Sequence, residues 1–199
     1  MAARLRPADR SSAHPHATHA GCPRLPVGDL WVFGYGSLMW DPGFDHLRAA
    51  SALLRGYHRA FCVRSVRYRG TPEQPGLVLG LDRGGACRGM AFLVAEKNVG
   101  SVLECLWARE MPRRAYRPRL VPIEVDGARV LALTFLANNG HASYAGRLDV
   151  DHIARTIAKC SGANGPNVDY LANTLRHLDE LGIREHKLHR LLLAVQSLP

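Results

Sequence analysis

Two groups of residues stand in patterns that could do chemistry. The first is Gly34-Tyr35-Gly36-Ser37-Leu38, which follows the apolar run Leu30-Trp31-Val32-Phe33, a buried-type strand opening onto a glycine-punctuated loop. Glycines there let the backbone approach a ligand closely and aim several N–H groups at one anionic atom. The third glycine of a dinucleotide fingerprint is absent, as is the Lys-Ser/Thr pair of a P-loop, so no nucleotide cofactor is indicated. A plain strand-end turn is the alternative reading. The second group centres on Glu110. Leu106, Leu103 and Val99 precede it at helical spacing, which puts its carboxylate on the apolar face, whereas Glu104 is rotated off that face. A carboxylate pushed inward is costly unless paired or used. Desolvation raises its pKa, the tuning wanted in a general base near neutrality. An ion pair with Arg109, Arg113 or Arg114, or a helix end that twists Glu110 outward, is the alternative here.

The elements that must position these residues can be read from periodicity. Six strands are expected: Leu30 to Phe33, Tyr57 to Val66, Leu77 to Leu81, Gly89 to Val94, Leu120 to Val125 and Ala128 to Leu136. Gly84-Gly85 is expected to join the third to the fourth, and Asp126-Gly127 is a strong hairpin signal between the last two. Helices are expected over Asn98 to Glu110, over Asp151 to Cys160, from a cap at Asn167 to Gly182, and around Leu188, Leu191, Leu192 and Val195. Strands first, one helix among them and helices last make an α+β fold rather than a repeating βαβ chain.

Composition narrows the function classes. The chain has 199 residues, 47% hydrophobic and 22% charged, an ordinary globular balance. Its longest apolar stretch, Val130 to Ala137, is far short of the roughly 20 residues of a membrane-spanning helix, so no membrane association is expected. The formal net charge is +9, and all but three of the 26 cations are Arg, the exceptions being Lys97, Lys159 and Lys187. Such an excess suits nucleic acid, a membrane surface or a small anionic substrate, or reflects coding bias alone. No zinc spacing, RNP-type aromatic motif or basic region with heptads is present, so no nucleic-acid partner is expected. Cys22, Cys62, Cys87, Cys105 and Cys160 are odd in number and widely spaced, spelling neither a disulfide framework nor a zinc site. A reducing cytoplasm fits them.

Residues 1–28 are rich in Arg, Ser, Ala, His and Pro and lack the apolar core of a secretory signal. His14, His16 and His19 form a short His-rich tract of the kind that can attract a metal, yet the composition reads as a disordered extension. Residues 29–199 are expected to form one domain.

The segment Trp31-Val32-Phe33-Gly34-Tyr35-Gly36-Ser37-Leu38-Met39-Trp40 resembles the opening of the ChaC-type gamma-glutamylcyclotransferases. So do Arg55-Gly56-Tyr57-His58-Arg59-Ala60-Phe61, Arg69-Gly70-Thr71-Pro72 and Pro75-Gly76-Leu77-Val78-Leu79-Gly80-Leu81. Leu106-Trp107-Ala108-Arg109-Glu110-Met111 with Tyr116 is similar to the family's catalytic-glutamate region, and Asn164-Gly165-Pro166-Asn167-Val168-Asp169-Tyr170-Leu171 to its C-terminal signature. The likeness runs in order from about Trp31 to Leu192.

This resemblance implies a small closed mixed β-barrel packed with helices, with a helical C-terminal part. It implies cofactor-free and metal-free cleavage of glutathione to 5-oxoproline and cysteinylglycine. Val32, Phe33, Gly34, Tyr35, Gly36, Ser37 and Leu38 would hold the gamma-glutamyl group, Glu110 would shuttle the proton, and Tyr144 would be a further pocket tyrosine. Arg59, Arg64, Arg67 and Arg69 are candidates for the glycine carboxylate, by charge. Two other functions stay open: the same reaction on other gamma-glutamyl amino acids or amines, and a non-enzymatic basic module for acidic partners. The extension is a departure from relatives, which often begin near the Trp31 equivalent.

Overall fold

The computed structural model describes residues 19–198. Five strands close into a mixed barrel: β1 (Leu30–Gly34), β2 (Arg48–Ser65), β3 (Gly76–Val94), β4 (Tyr116–Val125) and β5 (Ala128–Ala137). The order is β1-β3-β2-β4-β5, and a parallel seam, Trp31 opposite Ala132 and Val32 opposite Leu133, returns β5 to β1. The other long pairings are antiparallel, including the β4–β5 hairpin that turns at Asp126-Gly127.

The barrel has five strands rather than the six expected, because Leu77–Leu81 and Gly89–Val94 belong to one 19-residue strand. Gly84 and Gly85 take left-handed φ values of 98° and 69°, which would ordinarily end a strand. Gly56 on β2 is also left-handed, at 84°, and sits at the register shift between Arg55 and Tyr57. The two irregularities oppose each other, so the ladder bends as a bulge and resumes.

Helix α1 (Val99–Glu110) buries Val99, Val102, Leu103 and Leu106 against Val32, Leu38, Leu133 and Phe135 on one side of the barrel. The other helices, α2 (Val150–Lys159), α3 (Asn167–Glu180) and α4 (His186–Gln196), cover a second core with Phe61, Leu79 and Leu81. Between α2 and α3 lies a miniature hairpin, β6 (Ser161–Gly162) and β7 (Gly165–Pro166). Helix α3 stops as expected: Gly182 is left-handed, and the Ile183 N–H reaches back to Leu178 O at 2.8 Å.

Two expectations change. Most of the N-terminal stretch expected to be disordered, residues 1–18 with His14 and His16, lies outside the described residues. From residue 19 onward the chain packs on α1: the His19 ring stacks on Trp107 at 5.0 Å, and Leu25 is buried. Asn167, expected to cap α3, makes no capping bond. Its side chain is fully buried, accepting from Leu77 N at 2.7 Å and donating to Leu77 O at 2.8 Å, as a neighbouring strand would. Helix α3 is thereby pinned to β3.

Asn167→Ala removes both bonds at once. With each of the two stranded backbone groups costing about 1–3 kcal/mol, urea unfolding is expected to show a loss of about 2–6 kcal/mol.

Candidate active site

Helix α1 delivers Glu110 at its last turn. Its apolar stripe faces the core, and the carboxylate follows that stripe: the side chain is 16% exposed, while Glu104 is exposed. Burial pushes the Glu110 carboxyl above its ordinary range, and the Arg109 guanidinium, with Nε at 3.5 Å from Oε1, pulls partly the other way. Of the arginines expected as possible ion-pair partners, Arg109 alone makes this contact among the described residues. Arg109 is also committed elsewhere. Its Nη2 donates to Ser37 Oγ at 2.8 Å and its Nη1 to Asp41 O at 2.7 Å. It is a strut between the helix end and the glycine turn, and the net effect on the carboxylate is that burial wins.

The turn itself winds into a short 3-10 segment, Ser37–Met39. Its bonds run from Met39 N to Gly36 O at 2.9 Å and from Asp41 N to Ser37 O at 2.9 Å, leaving the Ser37 and Leu38 N–H groups out of the turn's own ladder. Arg59 on β2 clamps the other end. Its Nε donates to Tyr35 O at 2.5 Å, its Nη2 to Arg88 O at 2.7 Å, and its Nη1 bonds Glu185 at the start of α4.

Tyr35, Gly36, Ser37 and Leu38 meet Glu110 in a recess of about 50 Å³, completed by Leu79, Tyr116, Phe135 and Tyr170. The three phenols are fixed by backbone. Tyr35 donates to Phe135 O and Tyr116 to Leu79 O, both at 2.9 Å, and Tyr170 accepts from Leu79 N at 3.4 Å. Burial pushes Tyr35 and Tyr116 far up and Tyr170 to about 12, and the Glu110 charge adds to each shift. They stay neutral near pH 7, which leaves Glu110 as the proton acceptor of this recess.

The recess opens into a cleft of about 670 Å³ that shares Ser37, Glu110, Tyr116 and Tyr170 with it. Arg64, Arg67, Arg69, Arg113 and Arg176 line this cleft, together with Arg109. No His, Cys, Asp or Glu cluster suited to a metal occurs among the described residues.

The structure thus brings Tyr35, Gly36, Ser37 and Leu38 together with Glu110, while Val32, Phe33 and Gly34 are buried in β1 behind them. Tyr144 lines neither cavity: its hydroxyl donates to Asp82 at 3.0 Å, beside a bridge to Val63. Arg59 is a buried clamp rather than a cleft cation. Its register could have revealed this, since Tyr57, Arg59 and Phe61 alternate onto one face of β2. Tyr170 was marked only by its place in the segment resembling the family's C-terminal signature, which did not point it at the recess.

A buried acid facing a clamped, glycine-lined turn at the foot of a basic cleft is an arrangement able to move a proton on a small molecule. Residues 30–198 match the family model for ChaC-like proteins, and the chain belongs to that family. It is 37% identical over 176 residues to the glutathione-specific gamma-glutamylcyclotransferase of Escherichia coli (strain K12), covering 88% of this chain and 76% of the relative. It is 36% identical over 147 residues to glutathione-specific gamma-glutamylcyclotransferase 1 of Danio rerio, covering 71% and 75%. The fold is that of a selenomethionine-labelled glutathione-specific gamma-glutamyl cyclotransferase from yeast. The TM-score is 0.77 at 22% identity, over 85% of this chain and 96% of that one.

The raised carboxyl has a cost in stability. Glu110 binds its proton more tightly folded than unfolded, so stability is full below the unfolded-state pKa and falls as pH rises through the folded-state value. Glu110→Gln is therefore expected to melt above the wild type at pH 7, with the gap closing as pH is lowered towards the carboxylate range in a series of thermal melts.

Proposed function

We propose that this chain, with residues 29–199 as its catalytic domain, cleaves glutathione to 5-oxo-L-proline and L-cysteinylglycine by intramolecular aminolysis. One observation carries the reading: a raised carboxyl, Glu110, shares a small recess with the turn Tyr35–Leu38, and that recess opens on a basic cleft. The names of the E. coli and zebrafish relatives favour glutathione over other gamma-glutamyl compounds.

The nucleophile is already in the substrate. The gamma-glutamyl amine attacks its own gamma-carbonyl, a C–N bond forms, and a five-membered lactam closes. The amine is an ammonium ion at neutral pH and cannot attack until Glu110 removes a proton. The tetrahedral intermediate carries its negative charge on the former carbonyl oxygen. N–H groups of Ser37 and Leu38 are suited to that oxygen or to the alpha-carboxylate. Glu110 passes that first proton to water, takes the second from the attacking nitrogen as the C–N bond forms, and gives it to the cysteine nitrogen as collapse breaks that bond; the departing amine is then protonated by water. Neither metal nor cofactor is needed for any of these steps. Orientation supplies much of the acceleration, about 7–11 kcal/mol in well-aligned cases, which is why the recess is small and its walls are fixed by Arg59 and Arg109.

The positive charge then serves encounter with an anionic tripeptide rather than nucleic acid. Five free thiols suit a reducing, cytoplasmic setting.

Incubation with glutathione, analysed for 5-oxoproline and cysteinylglycine, is expected to yield both in equal amounts; absence of the lactam would refute the reading. Glu110→Gln is expected to lower turnover by about 10²–10⁴-fold, and Ser37→Ala, which only removes an acceptor from Arg109, by far less. In the wild type kcat/KM should rise with pH, with a midpoint above the ordinary carboxyl value of 4.5.

A further inference from the structure

The recess accounts for the gamma-glutamyl end of the substrate and leaves the other end to the cleft. Its cations differ in how they are held. Arg176 is paired with Glu180, and Arg67 and Arg113 are exposed. Arg64 donates to Tyr144 O at 3.0 Å from an exposed position. Arg69 is built in. Its backbone N–H donates to Ser65 Oγ at 3.0 Å, its Nη1 donates to Asn164 O at 2.6 Å and Pro166 O at 3.0 Å, and its guanidinium lies 5.5 Å from the centre of the Tyr170 ring.

The hairpin β6–β7 exists to hold this corner. Ala163 N and Asn164 N donate to Arg67 O and Tyr68 O at 2.8 and 2.9 Å. Gly162 is the point of closest approach, where a Cβ would fall 2.6 Å from both Arg67 O and Gly70 N. Nη2 and Nε of Arg69 donate to no protein group among the described residues, and no carboxylate there pairs with it, Asp169 included. Fixed by Nη1 and by the ring, the free edge of the fork is preorganised for a carboxylate.

Position supports the same ligand. Tyr170 borders the two places: it lines the recess with Glu110, and its ring face carries Arg69. From the scissile carbonyl to the glycine carboxylate, glutathione runs two residues, at most about 7 Å extended, so the two binding places must be near neighbours, and both border Tyr170.

We propose that Arg69 receives the glycine carboxylate of glutathione and so discriminates against gamma-glutamyl compounds that lack a carboxylate at that distance. The assignment rests on the cyclotransferase reading above. It is tested by steady-state kinetics of the full chain on glutathione and on its C-terminal amide. Arg69→Ala is expected to raise KM for glutathione by roughly tenfold or more, with kcat little changed, and to leave KM for the amide unaltered. Arg69→Lys should recover part of the loss, since charge remains without the planar fork. Should the alanine variant fail to fold, Arg69→Gln, which can keep a carbonyl contact, gives the same readout. An unchanged KM for glutathione, or an equal loss on acid and amide, overturns the assignment while the cyclotransferase reading stands. A wild type that makes no 5-oxoproline from either compound overturns both.

Discussion

A carboxylate withdrawn from water at the end of α1 imposes the main demand on this structure. The natural remedy for a buried acid is a full set of hydrogen bonds or a dedicated cation. Glu110 has one guanidinium at 3.5 Å, and that guanidinium is already bonded to Ser37 and Asp41. The compensation is partial, so the acid stays basic enough to take a proton. The same three contacts of Arg109 fix the distance between the acid and the turn, so tuning and positioning are one arrangement.

Rigidity around this point is drawn from every part of the chain. The parallel seam between β1 and β5 carries the turn and gives α1 its seat. Arg59 joins the turn to α4 through Glu185, so the C-terminal helix bears on a site some 150 residues earlier in the sequence. Helix α3 acts twice: Asn167 completes the edge of β3 beside Leu79, and Tyr170, one turn later, walls the recess. The phenols there are neutral walls that give shape and exclude water without competing for protons.

Much of this was legible locally. The strand-to-glycine-turn boundary at Leu30–Ser37, the hairpin at Asp126-Gly127 and the stop at Gly182 depend on backbone preferences of the residues themselves. The inward aim of Glu110 followed from helical spacing to Leu106 and Leu103. The rest depends on partners distant in sequence. Gly84-Gly85 looks like the end of a strand until Gly56 is placed opposite. Asn167 looks like a cap until the open edge at Leu77 is beside it. Arg59 reads as inward-facing from its strand register, but its acceptors, Tyr35 O, Arg88 O and Glu185, come from other elements. The place of Tyr144 is decided by Asp82, which no local pattern announces.

The central claim is that Glu110 keeps its proton to higher pH than an ordinary carboxyl because it is buried. A carboxyl-¹³C NMR titration of glutamate-labelled protein measures this directly, with the Glu110 signal identified by its loss in Glu110→Gln. A midpoint above 4.5 agrees with the structure; a midpoint at or below that value would show a solvated or fully paired acid and contradict the account.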